Sequence, residues 1–299
     1  STGVSTTFSN VTIQYGKLTG STDSGGGIST GGPMTIINSE IRFNSSTAYF
    51  GGGIYSSSQD YLRISGTTIA NNMAYYGGGG VSFFSTSTGQ LYITNSTIYN
   101  NTRTATTGNT EGAGINIWNG SGTFTNVTIT GNRAPNGSGN CGFSMNDPNG
   151  YITVQNTIVA GNTGSTVEFG YRQAGYGNVI DNGYNIIAGS NTYYTWASST
   201  DWKDTSQTGI FTKYGTSVTG TLQLDTDISL NDYAAYRTKT IALLAATSIA
   251  VNNGTSTSNG VIPNPTTDQR GAGRNGATDI GAFEFDGSGL TVETPTIQA

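Results

Sequence analysis

"LYITNSTIYNN", residues 91–101, combines strand-favouring Ile93, Thr94, Thr97, Ile98 and Tyr99 with three asparagines, a residue that strands usually reject. The combination returns as "GTFTNVTITGN" at 122–132 and "MTIINSEIRFN" at 34–44. Aligned on the apolar residue between the asparagines, the unit recurs at Ile13, Ile41, Ile69, Ile98, Ile129 and Val159. The successive spacings are 28, 28, 29, 31 and 30. Three residues later stand Gly16, Asn44, Asn72, Asn101, Asn132 and Asn162; three earlier stand Asn10, Asn38, Gly66, Asn95, Asn126 and Asn156.

A second landmark keeps the same step: "GGGI" at 25–28 and 51–54, "GGGV" at 78–81, "GAGI" at 112–115 and a degraded "CGF" at 141–143. Between landmarks, "LRISGTTI" and "TVQNTIV" place apolar residues at nearly every second position, as half-buried strands do. No helical period appears. A repeat of this length with two or three short strands predicts one coil of a parallel β-solenoid per unit. Stacked coils rise by about 4.8 Å, so equivalent residues lie directly above one another. The isoleucines then form an inward core row. The asparagines Asn44, Asn72, Asn101, Asn132 and Asn162 form a ladder, each amide serving its neighbours and the backbone groups freed at a bend. Asn and Gly also tolerate the left-handed conformation of tight corners.

Low Lys with abundant Ser, Thr, Asn, Gly and Tyr is the composition expected of a secreted surface protein. Charged residues are 10% of 299, against roughly 25% in average globular proteins. The net charge of −5 and the lack of a basic stripe argue against a nucleic-acid partner. There is no His, the commonest general base and metal ligand, and a lone Cys141 precludes an intrachain disulfide. No run of about 18 apolar residues exists to span a membrane. The start at Ser1 is what a trimmed N-terminus gives.

The "N-S-T-I-x-x-N" and "GGGI" units resemble the right-handed parallel β-helix repeats of bacterial surface proteins, including the short Gly-rich repeats of polymorphic outer-membrane proteins. The segment "TDQRGAGRNGATDIGAFEF" (267–285), with "GYNIIAG" (183–189) and "SIAVNNG" (248–254), is similar to the choice-of-anchor Q domain. The resemblance implies a secreted or cell-surface β-helix protein held by one of several sorting systems. The fold class expected is therefore all-β: a right-handed, pectate-lyase-like parallel β-helix with an irregular C-terminal cap. Six coils, one per repeat unit, fill 1–165. Further coils, a loop-rich insertion near 188–240, the capping signature 267–285 and an extended tail fill 166–299.

The charged residues of that signature, Asp268, Arg270, Arg274, Asp279 and Glu284, admit two readings. One is a glycan-cleaving carboxylate pair. The favoured one is a set of buried Arg–carboxylate pairs closing the solenoid end, with "DIGAFEF" as a final strand and Ile280 and Phe283 inward. Metal binding has only a weak candidate, Asp225, Asp227 and Asp232 in "LDTDISLND", which lacks the Gly and terminal Glu of a calcium loop. The aromatics Tyr193, Tyr194, Trp196 and Trp202 form a candidate contact surface, and the Tyr pair at 75–76 and Trp118 can also stack on sugars or bury a contact. Eight N-x-[ST] sequons, at Asn10, Asn44, Asn95, Asn100, Asn119, Asn126, Asn136 and Asn253, partly coincide with the repeat and do not by themselves predict glycosylation.

A lyase or hydrolase needs a charged groove. In residues 1–165, Arg42, Arg103 and Arg133 stand at offsets +1, +5 and +4 from the row and form no ladder, and no two acids share a repeat position. The expected function is accordingly non-enzymatic and cofactor-free. It is a surface or extracellular structural protein whose copies join end to end or by strand addition of "GLTVETPTIQA" (289–299). The alternatives are a monomeric adhesin whose partner is a cell-surface glycan and, behind it, a polysaccharide lyase or hydrolase.

Overall fold

The computed structural model describes residues 4–86, 88–106, 111–135, 139–165, 167–171, 178–189, 198–226, 228, 238–274 and 277–285. All elements among them are strands. The chain winds through about six coils, and each coil crosses three parallel sheets in turn. The largest sheet takes two segments per coil, such as Met34–Ile37 with Glu40–Arg42 and Tyr61–Ser65 with Thr68–Ala70. In the middle coils the two merge into the single strands Gln90–Tyr99 and Ser121–Thr130. A four-stranded sheet runs through Lys17–Leu18, Ser45–Ser46, Met73–Ala74 and Thr102–Arg103. A six-stranded sheet runs from Ile28–Thr30 to Val167–Tyr171.

The register follows the sequence repeat without slippage along the apolar row. Ile13 pairs with Ile41, then Ile69, Ile98, Ile129 and Val159 follow, and the row continues to Ile187. Ile13 is half-buried because only one coil covers it, whereas Ile41 to Val159 are fully enclosed. A parallel row, Ile36, Ile64, Ile93, Phe124 and Val154, faces it from the same sheet. Ile54, Val81, Ile115, Phe143 and Phe169 close the interior from the six-stranded sheet. Each such side chain contributes about 1.5–3 kcal/mol by leaving water.

Corners are set by backbone conformation. The positions three residues before the apolar row all have positive φ: Asn10 (56°), Asn38 (47°), Gly66 (58°), Asn95 (46°), Asn126 (54°) and Asn156 (49°). Only Gly and Asn enter this region at little cost, which is why no other residue type stands there in six coils. The third glycine of each triplet answers a different demand, close approach. A Cβ on Gly27, Gly53, Gly80, Gly114 or Gly142 would stand 2.6–2.7 Å from a carbonyl oxygen of the next coil.

The parallel coils run past residue 165, through Asn178–Asp181 and Ile186–Ala188, to Trp202–Asp204. Then the direction of pairing changes. Ile210–Lys213 and Thr219–Thr221 add antiparallel, so a short meander, not further coils, finishes the sheet. Residues 238–274 and 277–285 turn back along the outside of the solenoid. They cover a second apolar cluster made by Ile158, Ile186, Trp202, Phe211, Ile249, Ile280 and Phe283. In the strand pairs Ile158–Val159 and Ile186–Ile187, alternate residues therefore serve two cores, the inner one and this outer one.

Gly114→Ala is expected to cost about 3 kcal/mol, since its Cβ would meet the Gly142 carbonyl at 2.6 Å and the Asn132 amide at 3.0 Å. Gly31→Ala, whose nearest neighbour is Ser57 Oγ at 3.6 Å, is expected to be neutral within about 0.5 kcal/mol. Urea unfolding of the two variants beside the parent checks both.

Candidate functional site

The polar interior is built from the same repeat. The Asn44 Nδ2 donates to Asn72 Oδ1 at 3.0 Å, Asn72 to Asn101 at 3.0 Å, Asn101 to Asn132 at 3.0 Å and Asn132 to Asn162 at 2.8 Å. Each Oδ1 also accepts the backbone N–H of the preceding asparagine at 3.0 Å. Each Nδ2 donates a second bond to a carbonyl: Ile13, Ile41, Ile69, Ile98 and Ile129 in order. In the first coil Gly16 supplies only its N–H, to Asn44 Oδ1 at 2.9 Å.

This ladder has a direction, so its last member needs an acceptor that asks for nothing further. Glu168 provides it. Its Oε2 accepts from Asn162 N at 3.1 Å and Nδ2 at 2.8 Å, and its Oε1 accepts from Gln207 Nε2 at 3.2 Å. Burial pushes the Glu168 carboxyl up to about 7, against the pull of those donors. A second column, two residues before the apolar row, runs the same way. Val11 N donates to Ser39 Oγ, Ser39 N to Thr67 Oγ1 and Thr67 N to Ser96 Oγ. Further on, Thr157 N donates to Asn185 Oδ1 and Asn185 N to Asp201 Oδ1 at 2.8 Å. Asp201, fully buried and facing Asp181, is pushed up to about 9 by desolvation and by that neighbour. Both terminating acids lie beyond the recognisable repeat. The only sequence signal for Glu168 is that the Asn row ends shortly before it, at Asn162.

The C-terminal signature forms a closed knot. Asp268 accepts Arg270 N at 2.8 Å and Ala272 N at 3.0 Å on one oxygen, and Arg270 Nε at 2.8 Å and Glu284 N at 3.0 Å on the other. Arg270 lies over the Phe283 ring at 3.8 Å. The side chain of Arg274, almost fully enclosed, donates to Glu284 Oε2 at 3.0 Å, Gly281 O at 2.8 Å and Asp279 O at 3.2 Å. Asp279 accepts Asn252 N at 2.7 Å and Phe285 N at 2.5 Å. Both oxygens of Asp268 and of Asp279 are thus committed to holding backbone.

Its position corrects the expectation of an end cap. The knot docks on the flank of the solenoid, across the outward threonines. Gln269 bridges Thr97 Oγ1 at 2.6 Å and Thr68 Oγ1 at 2.8 Å, and Ala282 N donates to Thr128 Oγ1 at 3.1 Å. Corner asparagines take the rest: Arg274 Nη2 donates to Asn95 Oδ1 at 3.1 Å, and Asn95 Nδ2 donates to Thr267 O at 2.6 Å. Asn156 exchanges bonds with Thr255 in the same manner. Ile280 and Phe283 are buried as expected, but in the outer cluster and in irregular backbone, so "DIGAFEF" is not a strand. A glycine-rich signature full of turns follows the flank of stacked coils more readily than it extends their ladder. At that end the meander of 202–221 continues the largest sheet.

The remaining candidates disperse. Tyr193, Tyr194 and Trp196 lie outside the described residues. Trp202 is buried in the outer cluster, so it is a packing residue and not part of a contact surface. Asp227 and Asp232 also lie outside the described residues, and Asp225 is half-buried with its N–H on Ala242 O. Among the described residues no group of three His, Cys, Asp or Glu is placed to hold a metal. Arg42 pairs with Glu40 at 3.4 Å, and Arg103 is buried near Glu111 and Cys141. The sequon residues Asn44 and Asn126 are enclosed and Asn95 nearly so, which denies a glycan transferase access in the folded chain. On the surface, Tyr49, Phe50, Tyr75 and Tyr76 pack edge to face, and Trp118 stacks on Phe84 at 5.8 Å.

A groove of about 480 Å³ near the C-terminal end of the solenoid is lined by Glu168, Asp204, Gln207 and Phe211. Its acids are engaged: Asp204 accepts Gly209 N at 2.7 Å and Ser206 N at 3.1 Å, as a turn carboxylate does.

Residues 1–134 match the family described as "right handed beta helix region". With the parallel stacking above, this makes the fold a right-handed parallel β-helix. The matched stretch ends in the fifth coil, before the flank-docked segment begins. Comparison with curated proteins and with solved structures gave no match.

The two buried acids give the fold a pH dependence of definite sign. Glu168 rises from 4.5 in the open chain to about 7, and Asp201 from 3.8 to about 9. Between those limits the folded chain holds more protons than the unfolded one, so stability is greatest in acid and declines as pH rises. The expected slope for Glu168 is at most about 1.4 kcal/mol per pH unit between 4.5 and 7. Denaturant unfolding at pH 5, 6, 7 and 8 should show that decline in the parent, and a flatter profile in Glu168→Gln.

Proposed function

We propose that this chain is a non-enzymatic structural rod of the cell surface or extracellular space, and that its copies join by strand addition at the first coil. The observation that carries this reading is the contrast between the two ends. Among the described residues, Thr6–Ser9, Thr12–Gln14, Lys17–Leu18 and Ile28–Thr30 each pair with one neighbour, all in the second coil. The backbone groups on the other side of these strands, in three sheets side by side, have the geometry that accepts an added strand, and we assign that strand to another copy. Tyr15, 70% exposed and stacked on Phe43 at 5.6 Å, leaves its outer ring face open at the same edge. The far end finishes in antiparallel strands, which blunt it for coil-on-coil stacking and favour a donated strand over head-to-tail docking of coils.

Two further features support a structural role. The interior acid Glu168 and the knot acids Asp268 and Asp279 are spent on satisfying backbone and ladder groups. The composition and the choice-of-anchor-like signature fit a surface location. The segment 289–299, the candidate donor strand, lies outside the described residues. The adhesin reading draws on one specific observation, the surface aromatic cluster around Tyr76 and Trp118.

Negative-stain electron microscopy of the untagged protein is expected to show fibres with a regular axial repeat. Removing residues 289–299 is expected to abolish them. Isolated rods under all conditions would remove the assembly reading, and fibres unchanged by the deletion would remove the tail as donor.

A further inference from the structure

The outward face of the largest sheet carries one arrangement that the stacking of coils does not require. Arg63 projects from Tyr61–Ser65 and is exposed. Its guanidinium lies 4.6 Å from the centre of the Tyr61 ring, two residues before it on the same face, and 5.1 Å from that of Tyr92, its register partner in the next coil. Tyr61 is itself fixed, its hydroxyl 2.9 Å from Ser5 Oγ. The neighbouring outward positions of this row are threonines, Thr35 and Thr123, so the arginine between two tyrosines is local to these coils. Arg42, on the same sheet, has Glu40 and Gln14 as partners; Arg63 has neither a carboxylate nor a hydrogen-bond acceptor among the described residues.

These side chains line a groove of about 510 Å³ together with Ser5, Pro33, Gln59, Asp60 and Thr88. Gln59 is occupied, its Oε1 accepting from Ser85 and Thr86 and its Nε2 donating to Ser57 O. What remains for a ligand is a cation with its N–H groups free, two aromatic rings and one carboxylate, Asp60. A guanidinium held by rings keeps its hydrogen-bonding fork for a planar anion, and aromatic rings favour the C–H faces of a sugar. Asp60 accepts from hydroxyls and repels a second negative charge.

We propose that this groove binds a saccharide unit carrying a single carboxylate, a uronic acid within a largely neutral glycan: Arg63 takes the carboxylate, Tyr61 and Tyr92 flank the ring, and Asp60 takes a hydroxyl. The site is distinct from the end-to-end assembly proposed above: Ser5, beside the first strand, also lines the groove, but the groups assigned to the ligand are side chains of Asp60, Tyr61, Arg63 and Tyr92 in later coils and not the backbone of the first coil. Its chemistry selects against densely charged sulfated chains, which Asp60 and the net charge of −5 oppose.

The test is a titration of the full chain, followed by NMR or calorimetry, with methyl glucuronide, methyl glucoside, glucose 6-sulfate and acetate as separate probes. Saturable binding of the glucuronide is expected, at least tenfold tighter than that of the other three. Arg63→Gln and Tyr92→Ala should each weaken it at least tenfold, while Arg42→Gln leaves it unchanged. Thermal unfolding shows whether each variant retains the fold; Arg63 is solvent-facing, so its replacement is expected to keep it. Equal binding of the glucoside, equal binding of acetate, tighter binding of the sulfate, no saturable binding, or an Arg63→Gln variant that binds as the parent does would each overturn the proposal.

Discussion

The constraint on which this structure depends is that every coil must satisfy the polar groups of the coil beneath it. In a helix a residue's partner is a few positions away; here it is a whole coil away. The left-handed residues give each corner its local shape, but nothing local fixes its register against the next coil. The asparagine ladder solves this by a side chain that reads both neighbours at once. At Asn72, Oδ1 takes the backbone N–H and the amide of Asn44 in the preceding coil, and Nδ2 serves the Ile41 carbonyl and Asn101 in the following coil. A one-residue slip would break these bonds and turn the isoleucine row outward. The ladder and the core row hold each other in register.

Directionality is the second consequence. Because each rung donates toward the C-terminal end, the final rung needs an oxygen acceptor that belongs to no further rung. Glu168 and Asp201 end the two columns in this way, and both are carboxyls placed where water is excluded. Beyond them the pattern stops: the sheet turns antiparallel and the chain folds back along the flank. The flank accepts it because the outward positions change character along the row. Thr68, Thr97 and Thr128 offer hydroxyls to Gln269 and Ala282, while Ile158, Ile186 and Trp202 offer an apolar surface to Ile249, Ile280 and Phe283. Within the knot, the buried ion pairs Arg270–Asp268 and Arg274–Glu284 are neutralised and hydrogen-bonded, so removing any one partner would strand a buried charge.

Much of this is legible in one short stretch. In "NSTIYNN" (95–101), Ile98 is the core row, Asn101 the ladder, Asn95 and Asn100 the two left-handed corners, and Ser96 the second column. Period and residue type together read the coil, the core and the Asn ladder, because those are repeated contacts. Contacts made once leave no such trace. Glu168 has no equivalent in other coils, and Thr97 looks like any outward strand threonine until Gln269 meets it. The charged signature reads as a buried Arg–carboxylate set from its contrast with a charge-poor chain. Its placement on the flank rather than the end depends on a docking face that only the stacked coils create. Trp202 misleads for a related reason: an aromatic outside the repeat is surface only if nothing folds back over it. The Arg63 site is hidden in the sequence because Tyr92 reaches it from the next coil, far along the chain.

The ladder can be observed directly through the hydrogen exchange of the asparagine side-chain amides by NMR. If the inter-coil bonds hold the register, the Nδ2 protons of Asn72, Asn101 and Asn132 exchange as slowly as the backbone amides of the central strands, far behind those of exposed Asn10. If instead they exchange as fast as Asn10 while the strand amides stay protected, the coils are held in register by something other than the ladder, and the central claim is wrong.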